Sequence, residues 1–334
     1  MTDEPRFDDP VPLPEGEGAP DGTGIGDGSV AGNGELHVPA GLSQVRPQGP
    51  ARPSDVVEPL LAEALQFAEE GDWEAMAEHL RGVLPDHPDD PYVLCWLGMA
   101  ERELGMGGVA HERFRRALAA EPRDPVLLAT AGTALAHVDD PAAEAALRTA
   151  ALVAPELPQA RWQFGAWLSR EGMLREALDE LEAAARLEPD DPVILTEWGV
   201  ALALDEQMES ASVVLARASE ADPEDGWVLL LLGLVRVALD EVEEAARVLD
   251  EGARVRPDDL QAQCLASLAH AVEGRSDQAL EMLERARLHA VEGLDEVLVL
   301  EVEERIELGG DAPRRMLRET LGPAALRERL MVRP

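Results

Sequence analysis

The sequence is short of several residue types. Its 334 residues include no lysine, a single asparagine (Asn33), a single tyrosine (Tyr92) and only 3% aromatic residues. All 29 basic residues are therefore arginine. Amino acids encoded by AT-rich codons are all scarce in this sequence, which is typical of a GC-rich bacterial genome. The arginine bias therefore does not indicate nucleic-acid recognition.

Signatures of catalysis, metal binding and secretion are also missing. The sequence has no HExxH, no CxxC, no Gly-rich phosphate loop and no nucleophile elbow, which argues against an enzyme and against a bound metal or cofactor. The start of the chain shows neither a basic n-region nor an apolar h-region. Two cysteines, Cys95 and Cys264, are too few for a disulfide framework. We expect a non-enzymatic protein of the bacterial cytoplasm.

Positive charge is scarce relative to negative charge. The formal net charge is −38, and residues 1–54 contribute only −6 of it, so the acid is spread along the chain. Such a surface repels DNA, RNA and anionic membranes within a Debye length. The balance favours a protein partner, and a basic one if charge contributes to recognition.

A proline recurs at a nearly fixed interval, and this is the main signal in the sequence. The six prolines follow one another by 34, 33, 34, 34 and 34 residues. They are Pro88, Pro122, Pro155, Pro189, Pro223 and Pro257. Self-similarity at this period predicts a repeat array in which neighbouring repeats bury a shared core.

Other positions keep the same interval and predict two helices in each repeat. Small residues form one column where two helix backbones would cross closely: Gly98, Gly132, Gly165, Gly199 and Gly233. Bulky residues form another: Leu80, Phe114, Leu147, Leu181, Leu215, Leu249 and Leu283. Four glycines mark the turn between the two helices: Gly71, Gly105, Gly172 and Gly274. In the third repeat, which is one residue short, Asp140-Pro141 predicts a cap at this turn.

This pattern resembles the tetratricopeptide repeat family. Repeat two carries it best, with Trp96-Leu97-Gly98, then Ala110, Phe114, Ala117 and Pro122 at the family spacing. Seven repeats fit, at roughly 57–90, 91–124, 125–157, 158–191, 192–225, 226–259 and 260–293. The resemblance implies an all-α, right-handed superhelical solenoid that binds other proteins.

The repeats divide the chain into three parts. Residues 1–54 hold ten glycines and nine prolines, a composition that predicts a disordered acidic leader. Residues 55–293 are the repeats. Residues 294–334 are predicted to be capping helices, with 294–308 as a degenerate eighth repeat. The net positive charge of 314–334 leaves open a second interpretation, docking on the acidic surface of the same or another molecule.

The resemblance also implies where a partner binds. In this family the first helices line a concave groove, and four positions of each first helix face it. Carried onto this chain, the predicted groove residues are Tyr92, Cys95, Met99, Arg102, Trp162, Val193, Thr196, Trp227, Leu230 and Leu234. The Lys- and Asn-based clamp of some members is missing. An apolar groove suits an amphipathic helix or an apolar peptide.

The first helix of repeat six is apolar on nearly every side from Trp227 to Leu239. Such a helix is normally covered all round, and 13 residues are too few to span a membrane. Flanking helices, a partner helix, another copy or the chain's own termini could cover it. The predicted function is a protein-binding adaptor. The alternatives are a holdase-like chaperone for a secretion or pilus-assembly client, and a structural protein that self-assembles through residues 294–334.

Overall fold

The fold is known from a computed structural model that describes residues 49–291 and 293–331. Every regular element in these residues is helical. Most of the predicted leader, residues 1–48, lies outside the described residues. The all-α solenoid predicted from the sequence is confirmed.

The described chain is built from seven pairs of antiparallel helices that follow the predicted repeats. The pairs are α1 (Val57–Glu69) and α2 (Trp73–Val83), α3 (Pro91–Glu103) and α4 (Gly107–Ala119), α5 (Pro125–Ala136) and α6 (Ala142–Val153), α7 (Pro158–Arg170) and α8 (Leu174–Leu187), α9 (Pro192–Leu204) and α10 (Met208–Ala221), α11 (Gly226–Ala238) and α12 (Val242–Val255), and α13 (Leu260–Val272) and α14 (Ser276–His289).

Three further elements follow the seven pairs. Helix α15 (Leu294–Leu308) packs on α13 and α14, where the first helix of another repeat would lie. After a two-glycine turn comes a continuous helical segment made of α16 (Ala312–Arg315), a π-helical stretch (Met316–Leu321) and α17 (Gly322–Met331). We call this segment, residues 312–331, the C-terminal helix.

The acidic turns of the proline pattern start the first helices. The Asp90 carboxylate accepts hydrogen bonds from the backbone N–H groups of Tyr92 at 2.9 Å and Val93 at 3.1 Å. Asp124 and Asp191 cap α5 and α9 in the same way. A proline follows each of these aspartates at the first helical position, where it needs no hydrogen-bond donor. The repeated Asp-Pro step therefore fixes where each of these helices begins.

A glycine lies where the two helices of a repeat cross. A Cβ atom added to Gly199 would lie 2.6 Å from Cδ2 of Leu215, and one added to Gly233 would lie 2.6 Å from Cδ2 of Leu249. Both leucines are fully buried. The small-residue column thus gives each pair its short interaxial distance.

The turn between paired helices places one residue in the left-handed region. Gly71, Gly105, Gly172 and Gly274 occupy this position with φ between 74° and 77°. The sequence pattern misses the same position in three other repeats. These residues are Asp139 (φ 53°), Glu206 (φ 60°) and Asp240 (φ 65°). The backbone geometry is therefore imposed by the helix pair even where no glycine is available.

First helices lie on the inner side of the array. α1, α3, α5, α7 and α9 contact one another in succession, whereas each second helix packs on its own first helix and on the first helix of the next repeat. Helices that approach each other more closely lie on the concave side of a curved array. α11 and α13 have a different neighbour on that side, since both pack against the C-terminal helix.

Replacing Glu206 by glycine is expected to stabilise the protein by about 1 kcal/mol, because a side chain in the left-handed region is strained. Gly172→Ala at the equivalent turn of repeat four is expected to destabilise it by a similar amount. Urea denaturation measures both changes. Equal effects of the two substitutions would contradict the assigned turn geometry.

The short turn of repeat three depends on Asp140. Its carboxylate accepts a hydrogen bond from the Ala142 N–H at 2.9 Å and lies 2.7 Å from Nε2 of His111. The Ala142 hydrogen bond, then the His111 hydrogen bond and the charge of Arg115, hold the pKa of Asp140 below its usual value. The ionised carboxylate is thus bound more favourably in the folded protein than in the unfolded chain.

Asp140→Asn keeps an oxygen acceptor for Ala142 and removes the charge. Because the folded pKa of Asp140 is lowered, its ionised form stabilises the protein above the unfolded pKa, and this contribution is lost as the pH falls through the folded pKa. The unfolding free energies of wild type and variant are expected to differ by about 1 kcal/mol at pH 7. They should converge as the pH falls below the folded pKa of Asp140. A difference that is independent of pH would contradict a role for the charge.

Candidate functional site

The ten predicted groove residues lie on the first helices, and the structure divides them into two groups. Half of them are buried, and the others are partly or well exposed on α3, α7 and α9. The buried residues are Tyr92, Cys95, Trp227, Leu230 and Leu234. The exposed or partly exposed residues are Met99, Arg102, Trp162, Val193 and Thr196. Peptide binding at any of the ten stays a prediction.

Tyr92 and Cys95 pack between repeats two and three. The Tyr92 hydroxyl donates a hydrogen bond to Oδ2 of Asp124 at 3.1 Å, which ties α3 to the start of α5. Burial, and next the charge of Asp124, raise the pKa of Tyr92. The same two causes raise the pKa of the Cys95 thiol. Both groups are thus neutral at physiological pH and stabilise the junction between repeats.

The second cysteine has a matching environment on α13. Cys264 is fully buried, and burial raises the pKa of its thiol to about 12. A neutral buried thiol is a poor nucleophile. Cys264, like Cys95, therefore behaves as a small apolar core residue.

The accessible part of the inner face runs over repeats two to five. We call it the open groove and define it by Met99, Arg102, Trp162, Val193 and Thr196. Trp162 packs against the buried cluster of Ala184, Ala185 and Ile194, while Val193 is 49% exposed. Arg102 pairs with Glu103 at 2.7 Å, next to Met99 on α3. The surface thus combines apolar area with a cation at one end.

The inner face of repeats six and seven is covered. All but two of the 13 residues of α11 are buried, and the C-terminal helix packs on α11, with further contacts to α9 and α13. We call the face of α11 and α13 under this helix the closed groove. The sequence left open what covers α11. In the structure, the flanking helices and the chain's own C-terminal segment cover it together.

Ion pairs hold both ends of the C-terminal helix. Arg314 and Arg318 each lie 3.1 Å from a carboxylate oxygen of Asp240, in the turn after α11. Arg329 lies 2.9 Å from Oδ2 of Asp259, which caps α13. The helix therefore begins beside the end of α11 and finishes beside the start of α13. It runs antiparallel to both.

The apolar side of the C-terminal helix joins the same core as α11. Its buried side chains are Met316, Leu317, Leu321, Ala325, Leu326 and Leu330. Gln261, at the start of α13, donates a hydrogen bond to Oε2 of Glu328 at 3.0 Å and accepts one from Arg329 at 3.3 Å. The segment is an amphipathic helix with arginines near both ends.

Gly322 and Pro323 explain the π-helical stretch and the close approach. Pro323 has no N–H and cannot continue the α-helical hydrogen-bond ladder, and the Gly322 N–H instead donates to the Leu317 carbonyl five residues earlier. A Cβ atom on residue 322 would overlap that carbonyl oxygen and would lie 3.2 Å from Cγ1 of Val237 on α11. Only glycine fits both constraints.

The sequence predicted neither the path of the C-terminal helix nor its partners. The net charge of +4 over 314–334 was the available signal, and it supported docking on an acidic surface as well as capping. The register of apolar residues from Leu317 to Leu330 indicates an amphipathic helix but does not identify its binding face. That information lies in contacts with residues about 70 positions earlier in the chain.

In residues 49–291 and 293–331, no three His, Cys, Asp or Glu side chains lie together as a metal site requires. No helix of this described part combines the length and apolarity needed to cross a bilayer.

Comparisons with known proteins identify the repeat. Residues 202–269 match the family model for the tetratricopeptide repeat. Similar solved structures include the type IV pilus biogenesis factor PilW (18% identity, 60% of this chain and 94% of that one, TM-score 0.54) and the APC/C hetero-tetramer Cut9–Hcn1 (16%, 73% and 48%, 0.58). Another is the C-terminal part of a TPR repeat-containing protein from Cytophaga hutchinsonii (14%, 72% and 98%, 0.51). These likenesses show the fold. Among curated proteins, none matches the sequence.

Arg329→Met removes the ion pair with Asp259 and keeps most of the apolar length of the side chain. Because both partners are largely buried, the loss is expected to lower the unfolding free energy by about 2 kcal/mol. Arg327→Met, at an exposed position of the same helix, is expected to change it by less than about 0.5 kcal/mol. Thermal denaturation compares the two. Equal melting temperatures would contradict the docked position of the helix.

Proposed function

We propose that this chain, whose residues 202–269 match the tetratricopeptide repeat model, is an adaptor whose inner face holds an amphipathic helix or an apolar peptide of its partner. The open groove is the proposed site. Met99 and Trp162 are the proposed anchors, because large, flexible or aromatic side chains at the centre of an interface tend to contribute most of the binding free energy.

One observation carries this proposal. The inner face of the same array already accommodates an amphipathic helix, the chain's own residues 312–331, through apolar contacts with α11 and ion pairs to Asp240 and Asp259. The open groove is the continuation of that face over the preceding repeats, built from first helices of the same register. A helix laid in a groove is a recurrent mode of peptide recognition.

The surface charge supports a basic or neutral partner. The chain carries 67 acidic residues against 29 arginines. An acidic field raises the encounter rate with a cationic segment and lowers it with an anionic one.

The chaperone and self-assembly functions that the sequence left open, and the cytoplasmic location, stay predictions.

A site-specific photocrosslink tests the proposed site. Val193 in the open groove and Leu152 on the outer helix α6 are both exposed apolar residues, at 49% and 72%. Each is replaced in turn by p-benzoylphenylalanine in the full-length protein, expressed in its host and irradiated. We expect a defined crosslinked product at position 193 and none at 152.

The second part of the photocrosslinking test uses the substitution Trp162→Glu. It is expected to reduce the product at position 193 at least about tenfold, since a buried charge would replace an aromatic anchor. Leu152→Glu, an equivalent change on the outer surface, should leave it unchanged. Circular dichroism verifies that both variants stay folded. Equal products at 193 and 152, or a product that survives Trp162→Glu, would contradict the proposal.

A further inference from the structure

We propose that the C-terminal helix is an exchangeable ligand of the closed groove, and that a partner's basic amphipathic helix displaces it. This inference rests on the proposed function and adds to it a second binding surface and the chemistry of the segment that binds there. The chain's own C-terminal helix shows what such a partner segment needs. The segment needs an apolar side that fits α11 and arginines that reach Asp240 and Asp259.

The turn that joins α15 to the C-terminal helix has unusual backbone freedom. Gly309 and Gly310 both lie in the left-handed region, with φ of 61° and 57°. No side chain at these two positions limits the backbone there. A cavity of about 360 Å³ also lies beside the contact between α15 and the start of the C-terminal helix. Its lining includes Glu301, Arg305, Leu308, Arg315, Met316 and Glu319.

This geometry makes the C-terminal helix a separable element. It is joined to α15 by a two-glycine turn and touches α15 only at its first turn, beside a cavity, whereas the rest of it packs on α11 and α13. Movement of the helix away from the groove therefore does not require α15 to leave α13 and α14. The seven helix pairs can stay intact when the helix departs.

Replacement of the C-terminal helix by a partner helix is favoured over its departure alone. Departure of the helix without a replacement would expose Val237 of α11, which lies beside Gly322, and the helix's own Leu317 and Leu321, all of which are now at most 8% exposed. Burial of such side chains contributes strongly to stability, so the vacant groove is a minor state. A second helix with the same apolar side restores this burial, and the equilibrium then shifts toward the bound partner.

Charge placement specifies the partner segment. Arg318 and Arg329 are eleven residues apart, about 16 Å along a helix, and reach Asp240 and Asp259 at opposite ends of the closed groove. A competing helix needs cations with this spacing on either side of an apolar stripe. A separate basic partner is favoured over a second copy, because two copies with a net charge of −38 each repel one another.

The probe is a fluorescent synthetic peptide with the sequence of residues 312–331. Its anisotropy is measured with three full-length proteins. The first is wild type. The second is Arg318→Asp/Arg329→Asp, in which the chain's own helix is repelled by Asp240 and Asp259. The third is Arg315→Asp/Arg327→Asp, which makes the same charge change at two exposed positions of the helix.

We expect the peptide to bind the Arg318→Asp/Arg329→Asp protein with a Kd at least tenfold lower than for wild type or the control variant. A peptide that itself carries Asp at 318 and 329 should bind none of the three proteins. Adding Trp162→Glu should leave peptide binding unchanged, because that residue belongs to the open groove. Failure of the peptide exchange is therefore distinguishable from failure of the photocrosslink at Val193.

Three results would overturn the inference. Equal affinity for all three proteins would show that the helix does not occupy the peptide's site. Equal binding of the charge-reversed peptide would show that adhesion is apolar and nonspecific. A doubled mass of the wild-type protein in light scattering, without peptide, that is lost in the Arg318→Asp/Arg329→Asp protein would identify a second copy as the occupant in place of a separate partner.

Discussion

The close crossing of two helices within each repeat is the constraint on which the rest of the structure depends. At Gly132, Gly199 and Gly233 there is no room for a Cβ atom, because a leucine of the second helix lies within 2.8 Å of where it would be. This contact sets the interaxial distance and the crossing angle of each pair. The same geometry, repeated every 34 residues with one shorter step, propagates the array.

The inner face is a consequence of this packing. Once the first helices lie closer to one another than the second helices do, their exposed residues form a continuous surface along the array. The Asp-Pro caps begin α3, α5 and α9 at equivalent positions, which keeps the surface in register. Over repeats two to five this surface is open, and over repeats six and seven the chain's own helix lies on it.

Local signals in the sequence predicted the architecture well. The prolines, the glycines at the crossings and the opposing leucines each report a contact within a repeat, and such contacts recur at a fixed spacing. The turn residues Asp139, Glu206 and Asp240 were missed because the helix pair imposes a left-handed backbone that their side chains do not signal.

The candidate site was harder to predict because its state depends on contacts between distant segments. Tyr92 has the register of a groove residue, yet its hydroxyl is bound to Asp124 in the next repeat. Trp227 has the same register, yet it is buried in repeat six. Neither fact follows from periodicity, which assigns every repeat the same face. The C-terminal helix breaks that equivalence, since it packs on α11 and α13 and its arginines pair with Asp240 and Asp259 at the two ends of this face.

The central claim is that the chain's own C-terminal helix occupies the inner face of repeats six and seven. Hydrogen–deuterium exchange of the full-length protein, read by mass spectrometry, tests it directly. Peptides covering residues 316–331 and 226–238 are both expected to exchange slowly, and Arg329→Asp is expected to accelerate exchange in both together. Exchange of residues 316–331 at the rate of an unfolded peptide, with residues 226–238 unaffected by Arg329→Asp, would contradict it.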